Sequence, residues 1–90
     1  MKKFERRGDW IRTVLPENLS YMDYWVNIKN IELAVAVFVT DKFPIDNPAF
    51  DKRFRYTVAL IDSNDPDGEL VVGAADTDDE VNEILAEVMR

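Results

Sequence analysis

The chain has 90 residues, 47% of them hydrophobic and 32% charged, and it carries a formal net charge of −7. This length suits one small domain over residues 1–90, and the composition excludes both disorder and low-complexity polymers. The sequence contains no Cys and no His, which excludes disulfides, Cys or His nucleophiles and ordinary zinc sites.

No apolar run reaches the roughly 18 residues that a membrane-spanning helix needs. The longest run is Leu33–Val39. The start of the chain, Met1–Arg7, is basic, but Gly8–Arg12 follows it where a signal peptide would be apolar. The sequence therefore predicts no membrane association, no export and a cytoplasmic location.

Charge is unevenly distributed along the chain. Residues 1–55 carry 10 basic and 8 acidic side chains, whereas residues 56–90 carry 1 and 10, so the two parts have net charges of +2 and −9. A surface of one sign attracts partners of the opposite sign and repels nucleic acid. The alternative is that this charge only keeps the domain soluble.

The first half of the chain predicts three strands. Trp10–Leu15 is β-branched and aromatic, with residues 1–8 ahead of it as a candidate flexible basic tail. Met22–Ile28 alternates with period two, placing Trp25 and Asn27 on the face opposite Val26, although the pattern leaves open which face is buried. Ile31–Thr40 is apolar on both faces, which favours a central strand.

The middle of the chain predicts a loop and then a hairpin. Asp41–Asp51 contains two prolines, and its apolar side chains Phe43, Ile45 and Phe50 are expected to pack inward. Phe54–Ile61 reads as a strand, Asp65–Gly68 as a turn and Glu69–Ala74 as the returning strand. The small residues at the end of that strand suit close approach by a helix.

The C-terminal segment predicts one helix. Thr77 and Glu80 have the spacing of a capping box, and the acidic first turn complements the helix dipole. Apolar residues then recur at helical spacing: Val81, Ile84, Leu85, Val88 and Met89. The predicted fold class is α+β, an antiparallel sheet of about four to five strands with one C-terminal amphipathic helix packed on one face.

The polar side of this helix is a candidate partner-binding surface. Asp79, Glu83 and Glu87 are spaced four residues apart, with Asp76 and Glu80 close by. Neighbouring acids in such a row repel one another by a few tenths of a kcal/mol each. A row of carboxylates about 6 Å apart resembles the phosphates of a nucleic-acid strand, although a solvated polar face is the simpler interpretation.

Basic and aromatic residues supply further candidates. Lys2, Lys3, Arg6, Arg7 and Arg12 are interleaved with Phe4 and Trp10, a pattern that can bind phosphates and bases, but the net charge argues against direct nucleic-acid binding. The same cluster could complement the acidic helix of a second copy in a homodimer. Tyr21 and Trp25 share a strand face that suits a protein partner, unless Trp25 fills the core.

Two inorganic or catalytic interpretations are weaker. The turn Asp62–Glu69 is rich in oxygen ligands, but with Gly68 at the sixth position of a calcium loop, Ala74 stands at the twelfth, where such a loop needs a bidentate Glu. Paired carboxylates could catalyse acid–base chemistry only from a buried cleft. We expect no cofactor and no metal.

Three functions follow, in order of preference. The first is a non-enzymatic protein-binding module, an accessory or inhibitory protein; the size and composition are similar to those of small accessory proteins of phages and mobile elements. The second is an acidic nucleic-acid mimic that occupies the basic groove of a restriction or CRISPR effector. The third is a small hydrolase or isomerase that uses a buried carboxylate.

Overall fold

The computed structural model describes residues 1–14, 25–29, 33–42, 50–62 and 65–90. These form two antiparallel three-stranded sheets and one C-terminal helix, which confirms the α+β class. The first sheet has the order β1 (Phe4–Arg7), β2 (Trp10–Thr13) and β3 (Val26–Asn27). The second has the order β4 (Leu33–Val39), β5 (Tyr56–Asp62) and β6 (Asp65–Ala75), and the helix is α1 (Asp78–Val88), with a short 3-10 helix at Thr40–Lys42.

The division into two sheets differs from the single sheet of four to five strands that the sequence predicts. An 11-residue helix packs over β5 and β6 and covers only part of their sheet. The β1–β3 sheet supplies Phe4 and Ile11 to the same core, next to Val58 and Leu60 of β5. The first sheet therefore covers part of the same face as the helix, and the residues just before β1 join it to the edge of β6 through the Lys2–Gly73 bridge.

The β1–β2 hairpin lies in the segment for which the sequence suggested a flexible tail. Phe4–Arg7 pairs with Trp10–Thr13, and Arg7 lies opposite Trp10. The two-residue loop begins with Gly8, whose φ of 59° is in the left-handed region. A positive φ at the first loop position is typical of a type II′ turn, which matches the twist of paired strands.

The sequence predicts a central position for the strand Ile31–Thr40, and the described residues place neighbours of β4 on one side. Among the described residues β4 is an edge strand, and β5 lies between β4 and β6. The β5 residues Val58, Ala59 and Leu60 are all buried, so both faces of that strand are covered.

The predicted hairpin forms, but its turn lies elsewhere. Asp62 pairs directly with Asp65, so β6 begins at Asp65 and the turn is not at Asp65–Gly68. An irregular register beside Ile61 and Asp62 accommodates the additional β6 residues before Glu69 pairs with Ile61. Such bulges tolerate Pro and Gly inside a strand.

Helix α1 confirms its predicted start and buried stripe. The Thr77 hydroxyl accepts a hydrogen bond from the Glu80 N–H at 3.2 Å. Val81, Ile84 and Val88 are buried, Leu85 is partly buried and Met89 is exposed at the C-cap. At Gly73 of β6 an added Cβ would lie 2.7 Å from Ile84 Cδ1, which confirms that this position allows close approach of the helix.

The far face of the β4–β6 sheet has its own small core. Phe50 is buried, and it packs with Val71 and the partly buried Phe38. The Phe38 and Phe50 ring centroids are 5.8 Å apart. Phe50 therefore packs inward as the sequence predicts, whereas Phe43 and Ile45 lie outside the described residues.

The outer edge of β6 is covered by the segment Met1–Lys3. Lys2 forms a bridge with Gly73, Lys3 N–H donates to the Val72 carbonyl at 2.8 Å, and Ala74 N–H donates to the Met1 carbonyl at 2.9 Å. The Met1 ammonium also donates to the Ala74 carbonyl.

Of the helices in the described part of the chain, none is long and apolar enough to cross a membrane.

Candidate partner-binding surfaces

The outer face of the β1–β3 sheet combines tryptophan and arginine side chains. Because directly opposite residues of antiparallel strands share a face, the register places Glu5 beside Arg12 and Arg7 beside Trp10. The inner face of the same strands carries Phe4 and Ile11, which are buried. We name the outer surface the Trp–Arg face; it consists of Glu5, Arg7, Trp10, Arg12 and Trp25.

Two guanidinium groups contact the Trp25 ring on this face. The Arg7 and Arg12 guanidinium carbons lie 5.3 Å and 4.9 Å from the centre of the Trp25 ring, within the range of cation–π attraction. Glu5 pairs with Arg12 at 3.1 Å. Val26, the next residue, packs against the core, so Trp25 does not fill the core. Tyr21, the other aromatic candidate, lies outside the described residues.

Trp10 is the more exposed of the two tryptophans. It is 47% exposed, although its chain neighbour Ile11 is fully buried. Indole is the largest apolar side chain, and burial of its full surface contributes strongly to interfaces. The fold therefore leaves a large aromatic side chain in water next to a preassembled Arg–Trp–Arg stack.

The acidic candidates cluster at α1, but several of them have structural partners. The Asp76 carboxylate accepts a hydrogen bond from Arg55 N–H at 3.0 Å, and Glu80 accepts one from Asp76 N–H at 3.3 Å. Glu87 pairs with Lys2 at 3.7 Å. Within the described residues, Asp79 and Glu83 are exposed and form no ion pair. Three of the five acidic side chains therefore already have a partner within the chain.

Basic side chains of the first strand contact α1 of the same chain. Arg6 donates to the carbonyls of Glu87, Val88 and Arg90 at 3.0, 2.9 and 2.6 Å, where the helix C-terminus leaves carbonyls unpaired and favours a cation. From the sequence, a contact of these basic residues with the acidic helix is also possible between two copies of the chain. Arg6 and Lys2 instead meet the helix within one molecule, because β1 and β6 lie next to each other.

An open groove of about 350 Å³ lies between α1 and the start of the chain. Lys2, Glu80, Glu83, Ile84 and Glu87 line it together with Met1. Among the described residues, no group of acidic side chains has an arrangement that could hold a metal ion. The groove is a surface feature of the acidic helix.

Asp51 is the centre of a separate charged cluster. Its side chain is 9% exposed and accepts hydrogen bonds from Arg53 at 2.6 and 2.9 Å and from Lys3 at 3.3 Å. The Arg53 guanidinium contributes most, with Arg53 N–H and Lys3, and together they hold the pKa of the Asp51 carboxyl well below its usual range against the opposing effect of burial. A lowered pKa suits a structural anion and is the opposite of what a carboxylic acid catalyst needs.

Comparison with protein-family models, with curated proteins and with solved structures found no match for this chain. The functional argument therefore depends on the surfaces themselves. Of the candidates from the sequence, the structure brings together the five acids at α1 and places Trp25 on the other sheet. It adds Arg7, Arg12 and Trp10 to the surface around Trp25, a grouping that strand register alone creates.

Proposed function

We propose that the protein is a small non-enzymatic binding module that recognises another protein through the Trp–Arg face, as an accessory or inhibitory protein. The observation that carries this proposal is the 47% exposure of Trp10 beside the Arg7–Trp25–Arg12 stack. Trp and Arg are the residues most enriched among those that dominate binding energy at protein interfaces.

The arrangement of the face favours binding with little loss of side-chain freedom. Trp25 is already stacked by two guanidiniums, and Arg12 is also held by Glu5 at 3.1 Å. Side chains that are ordered before binding lose less conformational entropy when the partner arrives. A face whose side chains are ordered before binding therefore binds more tightly than a flexible face of the same area.

Local charge favours a protein partner over nucleic acid. Arg7 and Arg12 are balanced by Glu5 and Asp9, while the chain as a whole carries −7. A polyanion would be repelled by the rest of the molecule, whereas a partner that buries Trp10 against a polar and apolar surface would not. The proposed setting is the cytoplasm.

Capture of partners from cells of the source organism with tagged variants tests this proposal. Trp10→Ala is expected to weaken capture by about 2 kcal/mol or more, because it removes the exposed anchor. Met89→Ala, which also removes an exposed apolar side chain, is the matched control and is expected to capture as the wild type does. Because Trp10 binds mainly through apolar burial and the face has a net charge of only +1, capture should persist near 0.5 M salt, where the screening length is about 4 Å.

A second candidate function rests on Asp79 and Glu83, the exposed acids without ion pairs among the described residues. If α1 mimics nucleic acid, Glu83→Lys is expected to abolish capture, and the captured partner should leave at high salt. Retained capture by Trp10→Ala combined with loss in Glu83→Lys would favour this function and contradict the first. Capture of no protein by the wild type would contradict both.

A further inference from the structure

We propose that Arg6 is a positioning residue of the Trp–Arg face. One nitrogen of its guanidinium binds the turn of the β1–β2 hairpin, and the other two bind the C-terminus of α1. This link holds Arg7 and Trp10, the two residues that flank the turn, in a fixed place relative to the helix. Its role rests on the proposed function, in which these two residues contact the protein partner.

Arg6 lies beneath the Trp–Arg face. It is directly opposite Ile11, which is fully buried, and its own side chain is half-buried. Because successive side chains of a strand point to opposite faces, the next residue, Arg7, lies on the outer face. Arg6 therefore reaches the turn and the helix from the inner side of the hairpin and leaves the outer side open to a partner.

The Arg6 side chain binds the hairpin loop directly. Its Nε–H donates to the Gly8 carbonyl at 2.8 Å. Gly8 has a φ of 59°, and glycine adopts more backbone conformations than any other residue. A hydrogen bond to its carbonyl restricts this freedom. The contact therefore restrains the loop at its most permissive residue.

The other loop carbonyl is bound from the side of β3. Ile28 N–H donates to the Asp9 carbonyl at 2.9 Å. Arg7 and Trp10 pair with one another directly at the ends of this loop, so a restraint on the loop also restrains both of them. The Ile28 contact uses the backbone, whereas the Arg6 contact uses a side chain and can be removed by a substitution.

The other end of the link is the last turn of α1. Arg6 Nη1 donates to the carbonyls of Glu87 and Val88 at 3.0 and 2.9 Å, and Nη2 donates to the Arg90 carbonyl at 2.6 Å. These carbonyls lie where a helix leaves acceptors unpaired and carries partial negative charge. Val88 is fully buried in the same core as Ile11. The helix end is therefore a fixed point of the fold.

Arginine is suited to this link because of its shape. The guanidinium is planar and presents its N–H donors in a rigid fork, so that bonds made in two directions fix their acceptors relative to each other. Lysine has the same charge, but its ammonium is a single point at the end of a flexible chain. Arg6→Lys therefore keeps a cation for the helix C-terminus and removes the rigid connection to Gly8.

The contacts themselves are measured by NMR in the wild-type chain. At about pH 6 and low temperature, where side-chain N–H protons exchange slowly, we expect nuclear Overhauser effects from the Arg6 guanidinium to Gly8 and to Val88. Effects to Val88 alone would show that Arg6 serves only as a cation at the helix end, and would overturn the proposal. This measurement needs no variant to fold.

Arg6→Lys tests the restraint on the loop. We expect the backbone order parameters of Gly8 and Asp9 to fall from about 0.85, typical of rigid backbone, towards about 0.6. Arg55→Lys makes the same change at an exposed residue just before β5 and is the matched control, with order parameters as in the wild type. Circular dichroism checks that both variants are folded. Equal order parameters in Arg6→Lys and Arg55→Lys would overturn the proposal.

Capture of the partner that the wild type retains tests the effect on binding. Arg6→Lys is expected to weaken capture about two- to tenfold, the cost of ordering a loop and side chain that the wild type holds in place. Trp10→Ala is expected to weaken it further. Loss of capture in Trp10→Ala with wild-type capture by Arg6→Lys would overturn the role of Arg6 and leave the proposed function in place. Wild-type capture by Trp10→Ala would contradict the proposed function itself.

Discussion

The two outer edges of the β4–β6 sheet differ in how the chain treats them. The β6 edge is bulged, is covered by Met1–Lys3 and is packed under α1 through Gly73. Within the described residues the β4 edge is regular and uncovered, with three exposed valines. One sheet therefore combines an edge that is packed and covered with an edge whose valines stay partly exposed, although Phe38 of that edge packs on Phe50.

The largest expected effect is on the free energy of unfolding, when a valine is replaced by alanine at each of the two edges. Val72 of β6 is fully buried, whereas Val37 of β4 is 46% exposed. Val72→Ala removes two buried methyl groups and should lower the free energy of unfolding by about 2–3 kcal/mol. Val37→Ala should change it by no more than about 0.5 kcal/mol. Urea unfolding at low protein concentration measures both, and equal effects would contradict the comparison.

The next effect concerns the close packing at the β6 edge. Gly73→Ala adds a Cβ that would lie 2.7 Å from Ile84 Cδ1 and 3.0 Å from the Met1 carbonyl, so it should destabilise the protein by about 1–3 kcal/mol. Ile84→Val removes the Cδ1 atom. In urea unfolding, Gly73→Ala should therefore have a smaller effect in the Ile84→Val background than in the wild type. Strict additivity of the two substitutions would show that α1 does not press on Gly73.

The smallest effect concerns the salt bridge that holds the covering segment. Lys3 pairs with Asp51, whose pKa is lowered chiefly by Arg53. Because this pKa is lower in the folded state than the unfolded value of about 3.9, the carboxylate stabilises the fold above about pH 4, and this contribution is lost as the pH falls below that value.

Asp51→Asn measures this contribution. At pH 7 it should lower the free energy of unfolding by up to about 1 kcal/mol, because Arg53 remains largely exposed. The difference from the wild type should shrink as the pH falls to about 3. Asp41→Asn, at an exposed aspartate of the 3-10 helix, is the control. A difference that grows in acid would contradict the assigned direction.

Local signals in the sequence were sufficient for α1 and for the approach of that helix to β6. Thr77, Glu80 and the apolar stripe act within one helix, and Gly73 marks the contact. The β1–β2 hairpin was not predicted, although Gly8-Asp9 between two short strands is a recognised loop signal. Strand β1 is mostly charged, so its alternation is difficult to recognise: Phe4 and Arg6 lie on the inner face, and Glu5 and Arg7 lie on the outer face.

Long-range features could not be predicted from one sequence. Period two in Met22–Ile28 indicates two faces, but only packing of Val26 on the core selects Trp25 as the outer residue. The Arg7–Trp25–Arg12 stack depends on strand register, and the Lys2–Glu87 pair joins residues from distant parts of the chain. The central position of β5 depends on which strands pair with it, and the hydrophobicity of a strand does not identify its neighbours.

The position of the two tryptophans has an optical consequence. The sequence contains only Trp10 and Trp25, and both belong to the Trp–Arg face. The indole fluorescence of the protein therefore originates from this face, with Trp10 open to water and Trp25 in contact with two guanidinium groups. Emission from Trp10 should shift to shorter wavelength when a partner excludes water from it. The unmodified chain thus carries an intrinsic spectroscopic reporter of occupancy at its candidate binding surface.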